Sequence, residues 1–304
     1  KKYELVDNVN LDYFETQTAP GAYRTVQLPL LNSSEPTLSI NYADEATIGN
    51  GKLSRVKLES VTSQSNGINI PDYFLSDCKS LKKVDIQTLE SITSITYQFV
   101  SDCSSLNTLL LPNIPNQFTI GNNFCDSCTT LTATDLDLSC LTNVTTIGTN
   151  FFSNCTGLVD LDVSECFNKV TAIGSDFFSG CTGLTELDLH GLSGISTIPA
   201  NFLDGCTSLA KLDLYGLNKV DAIPDTFLDT CTGLKELDLS GLSTLTTIPN
   251  NFLTGCVQLK KANLSDWSLV TAIPTDFLSN LINLTNLNLN GLTSVETIDD
   301  NFLS

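Results

Sequence analysis

Acidic side chains recur along this chain at a nearly constant interval. The main series, at intervals of 25 or 26 residues, is Asp137, Asp162, Asp188, Asp213 and Asp238. Four further acids precede members of this series by two residues: Asp135, Asp160, Glu186 and Glu236. If a regular fold places the main series side by side, neighbouring carboxylates roughly 5 Å apart repel by nearly 1 kcal/mol per pair in water. A cation or a basic partner would relieve that repulsion.

Three interpretations of the acidic series are open from the residues alone. The series is a face for a ligand rich in Lys and Arg, a row of weak calcium sites, or a set of copied positions whose carboxylates are solvated or bonded to nearby hydroxyls. We predict no specific metal site, because a hard cation needs about six or more oxygen ligands.

His190 and Tyr215 follow two of these aspartates by two residues and extend the candidate face. Exposed tyrosine is frequent at protein interfaces. His190 is the chain's single histidine, so a catalytic triad would require it together with Asp188. Because no serine lies in a recognisable nucleophile turn and an open sheet excludes little water, we predict no enzyme and no cofactor. The predicted partner-binding residues are Asp135, Asp137, Asp160, Asp162, Glu186, Asp188, His190, Asp213, Tyr215, Glu236 and Asp238.

Cys125 and Cys128 form a C-x-x-C pair, a spacing that serves redox chemistry or half of a zinc site. No second pair lies at zinc-ribbon spacing. Cys128 belongs to a once-per-repeat cysteine series, and Cys125 takes a position that leucine holds elsewhere, so we predict two buried thiols. Stacked equivalent cysteines point the same way, which disfavours disulfides. Cys140 replaces a turn glycine and is expected to be the most exposed thiol.

The elements that position these residues belong to a sequence repeat. Its length does not allow one unit to close a core alone, so the units must stack into a solenoid. Phenylalanine recurs at intervals of 25 to 27 residues, at Phe74, Phe99, Phe124, Phe151, Phe177, Phe202, Phe227, Phe252, Phe277 and Phe302. Four residues later stand Cys78, Cys103, Cys128, Cys155, Cys181, Cys206, Cys231 and Cys256, and then Leu281.

Each repeat has two halves, as residues 184–208 illustrate. Apolar and polar residues alternate over 186–190, the period of a half-buried strand. Pro199 opens a second segment in which Phe202 and Cys206 fit one or two short helical turns, closed by Gly205. The sequence therefore predicts an α/β solenoid, an arc with a parallel β-sheet of about 4.8 Å strand spacing on the concave face and short helices and turns on the convex face.

Irregular units predict where the arc deviates from regularity. Extra residues near Thr132 and Ala133 and near Phe167 keep the repeat in phase if they bulge outwards. Trp267 replaces a leucine of other units and is expected in the core. The column of the main acidic series is predicted to run Lys57, Asp85, Leu110, Asp137, Asp162, Asp188, Asp213, Asp238, Asn263 and Asn288.

The pattern Leu-x-x-Leu-x-Leu followed by Ile-Pro-x-x-Phe-Leu-x-x-Cys-x-x-Leu, as in 209–234, resembles BspA-like leucine-rich repeats. The resemblance covers about residues 53–304. It implies a curved solenoid of a kind often displayed on microbial surfaces and used to bind other proteins, without naming a ligand. Many leucine-rich repeats carry an asparagine after the strand, and this chain departs from them with Gly191, Gly216, Gly241 and Gly291.

Composition narrows the partner class. The formal charge is −19, from 34 acidic against 15 basic residues. This charge argues against nucleic acid and anionic membrane surfaces as partners and leaves cationic ones. No stretch approaches the roughly 18 apolar residues of a membrane helix.

The period divides the chain into two parts. Residues 1–52 lie outside it and are predicted to form an N-terminal cap, and residues 53–304 form about ten repeats of 25–28 residues, the last of them truncated.

These features predict a non-enzymatic recognition module, secreted or displayed on a microbial cell surface, that binds a protein, a basic one in particular, or a surface glycan. Two alternatives belong to different classes. One is a structural or display stalk whose binding activity lies in other regions. The other is an intracellular effector module that grips a host protein.

Overall fold

The structure is a computed structural model that describes residues 26–27, 37–40, 60–63, 72–73, 75–79, 81–87, 94–114, 116–163, 165–250 and 252–303. These residues form eighteen short strands. In chain order they are β1 Val26–Gln27, β2 Thr37–Ile40, β3 Ser60–Ser63, β4 Lys83–Asp85, β5 Ser94–Ile95, β6 Thr108–Leu110, β7 Phe118–Ile120, β8 Leu136–Asp137, β9 Val144–Ile147, β10 Asp160–Asp162, β11 Ala172–Ile173, β12 Glu186–Asp188, β13 Lys211–Asp213, β14 Glu236–Asp238, β15 Lys261–Asn263, β16 Ala272–Ile273, β17 Asn286–Asn288 and β18 Thr297–Ile298.

The first strand of each coil builds two six-stranded sheets, in the orders β1-β2-β3-β4-β6-β8 and β10-β12-β13-β14-β15-β17. Apart from the antiparallel pair β1–β2, neighbouring strands are parallel. In the second sheet Leu187 pairs with Leu161 on one side and Leu212 on the other, and all three are buried. Each strand thus points its middle side chain inwards and its two flanking side chains outwards, which confirms the predicted parallel sheet.

A second strand in each of four coils builds a flank sheet in the order β11-β9-β7-β5. The N–H groups of Gly148 and Gly174 donate to the carbonyls of Ile120 and Ile147, both at 2.9 Å. In the following coils proline holds this position and has no N–H to donate, so the flank sheet ends at β11. Asp299 restores the donor, and β16 pairs with β18. The four prolines are Pro199, Pro224, Pro249 and Pro274.

The prediction of short helices on the other side of the coils is wrong. Within the described residues the regular helical structure consists of three 3-10 turns, Ala133–Asp135, Ser139–Asn143 and His190–Leu192. None of them lies in the phenylalanine-containing segments, which are runs of turns. The chain is therefore a β-solenoid of parallel sheets and turns rather than an α/β fold.

Left-handed residues prevent helix formation in these segments. Asn150 and Asn154 have φ values of 54° and 58°, which interrupt a right-handed turn twice within five residues. Their N–H groups donate to Ser175 and Ser179 of the next coil, at 2.9 and 2.7 Å, instead of to a carbonyl four residues earlier. The segment proposed to start at Pro199 is interrupted in the same way, because Asn201 has a φ of 55°.

Aromatic rings stack from coil to coil through the core. Phe151 lies between Phe124 and Phe177, with ring centroids 5.1 Å apart on each side. The ring of Phe167 packs edge-on against Phe151, with centroids 5.9 Å apart, so this residue points inwards and its predicted outward bulge is wrong. Trp267 is fully buried as predicted, and its Nε1–H donates to the carbonyl of Leu239 at 3.1 Å.

The cysteine series supplies hydrogen-bond donors as well as small apolar groups. The Sγ–H of Cys128 donates to the carbonyl of Val100 and that of Cys155 to the carbonyl of Cys125, both at 3.0 Å. Five other cysteines of the series make the equivalent bond to the preceding coil. All eleven cysteines are free, and Cys140 is the least buried, as expected.

The structure corrects the strand position in the first repeat. Asp85 pairs with Thr62 and not with Lys57, which lies outside the described residues. Two segments fit the Leu-x-x-Val pattern here, 53–56 and 58–61, and the chain uses the later one. This register places β2, β3 and β4 at equal 23-residue intervals. The division of the chain at residue 52 stays a prediction.

The predicted irregularity near Thr132 and Ala133 is confirmed. A 3-10 turn, Ala133–Asp135, precedes β8 and takes up the extra residues. The long sheet is interrupted at this point, since β8 is an outer strand of one six-stranded sheet and β10 an outer strand of the other.

Candidate functional site

The acidic face is the outward side of β10, β12, β13 and β14. Its first column consists of Asp160, Glu186, Lys211 and Glu236, which pair in that order, and Lys261 follows on β15. Its second column consists of Asp162, Asp188, Asp213 and Asp238, and Asn263 follows. Seven of the eleven predicted site residues, all of them acids, therefore lie in consecutive register in one sheet.

Asp135 and Asp137 do not join this face. Asp137 ends β8 and pairs with Leu110 in the other long sheet. Its Oδ1 accepts bonds from the N–H and the Oγ–H of Ser139, at 2.9 and 2.6 Å. Asp135 lies in a 3-10 turn instead of a strand. The sheet is interrupted between β8 and β10, so this pair does not share the register of the other predicted acids.

Three of the four aspartates of the second column are held in place by the backbone that follows them. The Oδ1 atoms of Asp213 and Asp238 accept the N–H groups of the residues two positions later, Tyr215 and Ser240, both at 2.9 Å. Asp188 accepts the N–H of His190 at 3.0 Å in the same way. Such turns hold one carboxylate oxygen against the backbone. The copied-position interpretation, in which an aspartate has a local structural role, therefore holds for one oxygen each of Asp188, Asp213 and Asp238.

Lysines neutralise part of the first column. Lys261 Nζ donates to Glu236 Oε1 at 2.7 Å, and this bond lowers the pKa of Glu236, with the charge of Lys211 contributing less. Lys211 lies between Glu186 and Glu236 in the register. The acids on β10 and β12, by contrast, have no lysine among the strand residues beside them except Lys211. The negative charge is therefore concentrated at the β10 side of the face.

Sequence reasoning placed Asn263 and Asn288 at the end of the second column but missed the hydrogen bonds that their amides make. Asn263 Nδ2 donates to Asp238 Oδ2 at 3.0 Å, and Asn288 Nδ2 donates to Asn263 Oδ1 at 2.8 Å. Asparagine has the shape of aspartate, so its presence at the same repeat position was the available signal. The amides replace carboxylate repulsion by hydrogen bonds and mark the end of the acidic face.

His190 and Tyr215 lie at the edge of the second column, as predicted. His190 Nδ1 contacts Asp188 Oδ1, and its ring centroid lies 5.3 Å from that of Tyr215. The Tyr215 side chain is 56% exposed. Partial burial disfavours the imidazolium, but the hydrogen bond with Asp188 and the charges of Asp188, Asp213 and Asp238 outweigh it and raise the pKa of His190.

A shallow groove of about 280 Å³ covers the most acidic part of the face. It is open to solvent, and between the two columns its floor is the strand backbone at Leu161 and Leu187, whose side chains point into the core. This shape accommodates an extended or convex partner surface better than an enclosed small molecule. The residues that line it are Asp160, Leu161, Asp162, Glu186, Leu187, Asp188, Lys211 and Asp213.

The thiols are not arranged for redox or metal chemistry. Cys125 and Cys128 are fully buried, and burial raises the pKa of both. Burial also raises the pKa of Cys140, to about 12, so the most accessible thiol is not a reactive thiolate. Among the described residues no group of three or more His, Cys, Asp and Glu side chains is placed to hold a metal ion.

The side chain of Asp229 lowers the stability of the folded state at neutral pH. Its Oδ1 is buried without a hydrogen-bond partner, and burial followed by the charge of Asp204 raises its pKa. A raised pKa means that the folded state loses stability as pH rises above the usual aspartate value of about 4. Serine fills the equivalent position in other coils, for example Ser101 and Ser153, both buried.

We therefore expect Asp229→Ser to raise the free energy of unfolding at neutral pH by about 1 kcal/mol. The urea midpoint measures this gain, which should shrink towards about pH 3.5, where the native carboxyl is protonated. Asp225→Ser makes the same change at an exposed position of the same coil and should have little effect. An equal or larger gain at acid pH would contradict the account.

The stacked parallel strands and the once-per-coil leucine, phenylalanine and cysteine positions define a leucine-rich-repeat solenoid. The family described as "BspA type Leucine rich repeat region (6 copies)" matches residues 37–159, 119–241 and 145–285. The chain therefore belongs to the BspA-type leucine-rich-repeat family. Leucine-rich repeats are a general scaffold for protein interaction and are typically non-enzymatic.

Several solved structures are similar to this chain. A leucine-rich repeat protein from Bacteroides ovatus is 16% identical, with 98% of this chain and 90% of that chain covered and a TM-score of 0.38. A leucine rich cell surface protein from Faecalibacterium prausnitzii is 19% identical, with 90% and 96% covered and a TM-score of 0.36. A comparison with curated proteins finds no match.

A chain of the Toll–Spatzle complex from Drosophila is 17% identical, with 93% of this chain and 52% of that chain covered and a TM-score of 0.41.

In the part of the chain that the structure describes, no helix is both long and apolar enough to cross a membrane.

Proposed function

We propose that this chain is a non-enzymatic recognition module that binds a basic partner protein through its acidic face. The observation that carries the proposal is the in-register column Asp162, Asp188, Asp213 and Asp238, which repeats one carboxylate per strand across four parallel strands.

Local bonding of the aspartates supports binding. Each turn between an aspartate and the N–H two residues later restricts the carboxylate to one orientation. A partner then orders fewer side chains when it binds, which lowers the entropic cost of association. The carboxylates are thus arranged before the partner arrives.

The charge of the face selects the partner's chemistry. Strands β10, β12, β13, β14 and β15 carry seven acidic and two basic side chains in the two columns. Complementary charge accelerates association and discriminates against acidic partners. A basic protein surface therefore fits better than a neutral glycan, which remains the second ligand class.

The family and the composition support an extracellular setting. BspA-like proteins are often displayed on microbial surfaces, and this acidic chain, poor in Lys and Arg, suits exposure there. We place the module on the surface of a microbial cell or in its surroundings.

The proposal is tested by capture with the native chain and with the triple variant Asp162→Asn, Asp188→Asn, Asp213→Asn. Extracellular and cytosolic extracts of candidate host cells are passed over each protein at about 0.01 M and about 1 M salt, where the screening lengths are about 30 and 3 Å. We expect basic proteins to be retained by the native chain at low salt only and to be lost from the triple variant.

A matched control separates the acidic face from net charge. The triple variant Asp221→Asn, Asp225→Asn, Asp299→Asn makes the same charge change at three exposed positions elsewhere and should capture as the native chain does. Equal capture by both triple variants would indicate that the binding site does not lie on the acidic face. Empty captures throughout would favour a stalk, and capture from the cytosolic extract alone would favour an intracellular effector.

A further inference from the structure

His190 is the single histidine of the chain and lies on the acidic face. Histidine is the side chain whose unperturbed charge change falls between about pH 5 and pH 8. Its Nδ1 contacts Asp188 Oδ1, while the backbone N–H of His190 occupies the same oxygen. One carboxylate of the binding column therefore has an internal cation as partner whenever the imidazole is protonated.

The groups around His190 are mostly acidic. Asp188 ends β12 two residues before His190, and the charges of Asp213 and Asp238 act on the imidazole from β13 and β14. Tyr215 packs against the ring from the loop after β13, and Asp162 holds the register position beside Asp188 on β10. The structure gives no basic side chain in contact with the imidazole among these neighbours. Protonation of His190 is thus favoured by the same carboxylates that would bind a cationic partner.

We propose that His190 makes binding of a cationic partner depend on pH. This inference rests on the proposed function. Its imidazolium occupies the Asp188 carboxylate at low pH, and its neutral form leaves that carboxylate to the partner at higher pH. A partner that brings its own cation to Asp188 competes with the protonated histidine. Binding should therefore strengthen as pH rises through the titration of His190, and a bound cation should in turn make His190 easier to deprotonate.

Other coils of the chain provide the variants for the test. Ser240 takes the place of His190 two coils later, and its N–H and Oγ–H both donate to Asp238, at 2.9 and 2.6 Å. His190→Ser therefore copies an arrangement that the fold already contains and removes the titrating group. His190→Lys keeps a permanent cation beside Asp188.

The probe is a short oligoarginine peptide, because guanidinium stays charged throughout the pH range. Its dissociation constant is measured at about 0.01 M salt and at about pH 6 and pH 9 for the native chain and both variants. We expect native affinity to rise about three- to tenfold at the higher pH, as one opposing charge is removed. His190→Ser should bind equally tightly at both pH values, and His190→Lys should bind weakly at both.

A second readout follows the histidine itself. The single histidine ring signal in the NMR spectrum should titrate at lower pH when saturating peptide is present. Equal pH dependence in the native chain and His190→Ser, or an unchanged histidine titration, would overturn this inference and leave salt-sensitive binding by the acidic face intact. If the peptide bound at neither pH, both the inference and the proposed basic-partner function would be overturned.

Discussion

Replacing Phe151 by alanine is expected to lower the free energy of unfolding by about 3–5 kcal/mol. Phe151 is fully buried and contacts the rings of four phenylalanines from its own and both neighbouring coils. The cavity would remove stacked contacts that join three successive coils, each worth about 0.5–1.5 kcal/mol beyond area burial. The urea midpoint measures the loss. Because a solenoid's stability sums over neighbouring units, hydrogen exchange should accelerate first in the coils that contact residue 151.

An exposed position of the same coil provides the control for Phe151. Thr146 lies on the outward side of β9, and Thr146→Ala should change stability by no more than about 0.5 kcal/mol. A midpoint shift for Phe151→Ala as small as that of the control would show that the ring stack does not couple the coils. Exchange that accelerates uniformly along the chain would contradict a local effect.

The repeat unit could be predicted from sequence because its strongest signals are periodic and apolar. Phenylalanine and cysteine positions mark each coil, and the period of two around Leu187 places one strand per coil with its outward columns. The first repeat was misplaced because two segments fit the same short pattern and only pairing with β2 and β4 selects between them. Local patterns fix the unit, whereas register depends on the neighbours.

Helices were predicted because proline, aromatic and glycine positions near Pro199 imitate a short helix. The contrary signal is a pair of positions four residues apart, often Asn, Asp or Gly, which tolerate left-handed backbone. This signal is visible at Asn150 and Asn154 once the repeats are aligned on their phenylalanines. The residues that carry positive φ at both positions of a pair are Tyr73 and Asp77, Gln98 and Asp102, Asn123 and Ser127, Asn150 and Asn154, Asp176 and Gly180, Asn201 and Gly205, and Asp276 and Asn280.

The composition of the acidic column could be predicted, but its extent could not. Spacing alone places Asp137 in the same series as Asp162. A 3-10 turn takes up the extra residues before β8, and the long sheet is interrupted between β8 and β10, so the two aspartates belong to different sheets. The identity of the ligand could not be predicted from the sequence either, because copied repeats produce the same carboxylate series with or without a partner. Only binding measurements on the acidic face separate these cases.

Replacing Gly148 by proline is expected to lower the free energy of unfolding by about 2–4 kcal/mol. The change removes the N–H that donates to Ile120 in the middle of the flank sheet. It also adds atoms where a Cβ would lie 2.6 Å from the Asn122 backbone N and 2.7 Å from the Gly121 carbonyl carbon. Gly148→Ala separates the two effects, since it keeps the donor and introduces only the steric conflict. Urea midpoints of both variants measure the two contributions.

The same substitution at the equivalent position of the last described coil has a different expected outcome. Asp299 also donates its N–H to the preceding coil, to Ile273 at 3.0 Å, but it is exposed and lies beyond the four prolines. Asp299→Pro should therefore cost only about 1 kcal/mol, the contribution of one hydrogen bond. If proline were tolerated equally at 148 and 299, close approach of backbones would not explain glycine at 121, 148 and 174. A large loss at 148 with a small one at 299 would show that the chain uses one repeat position in two ways, glycine to extend the flank sheet and proline to end it.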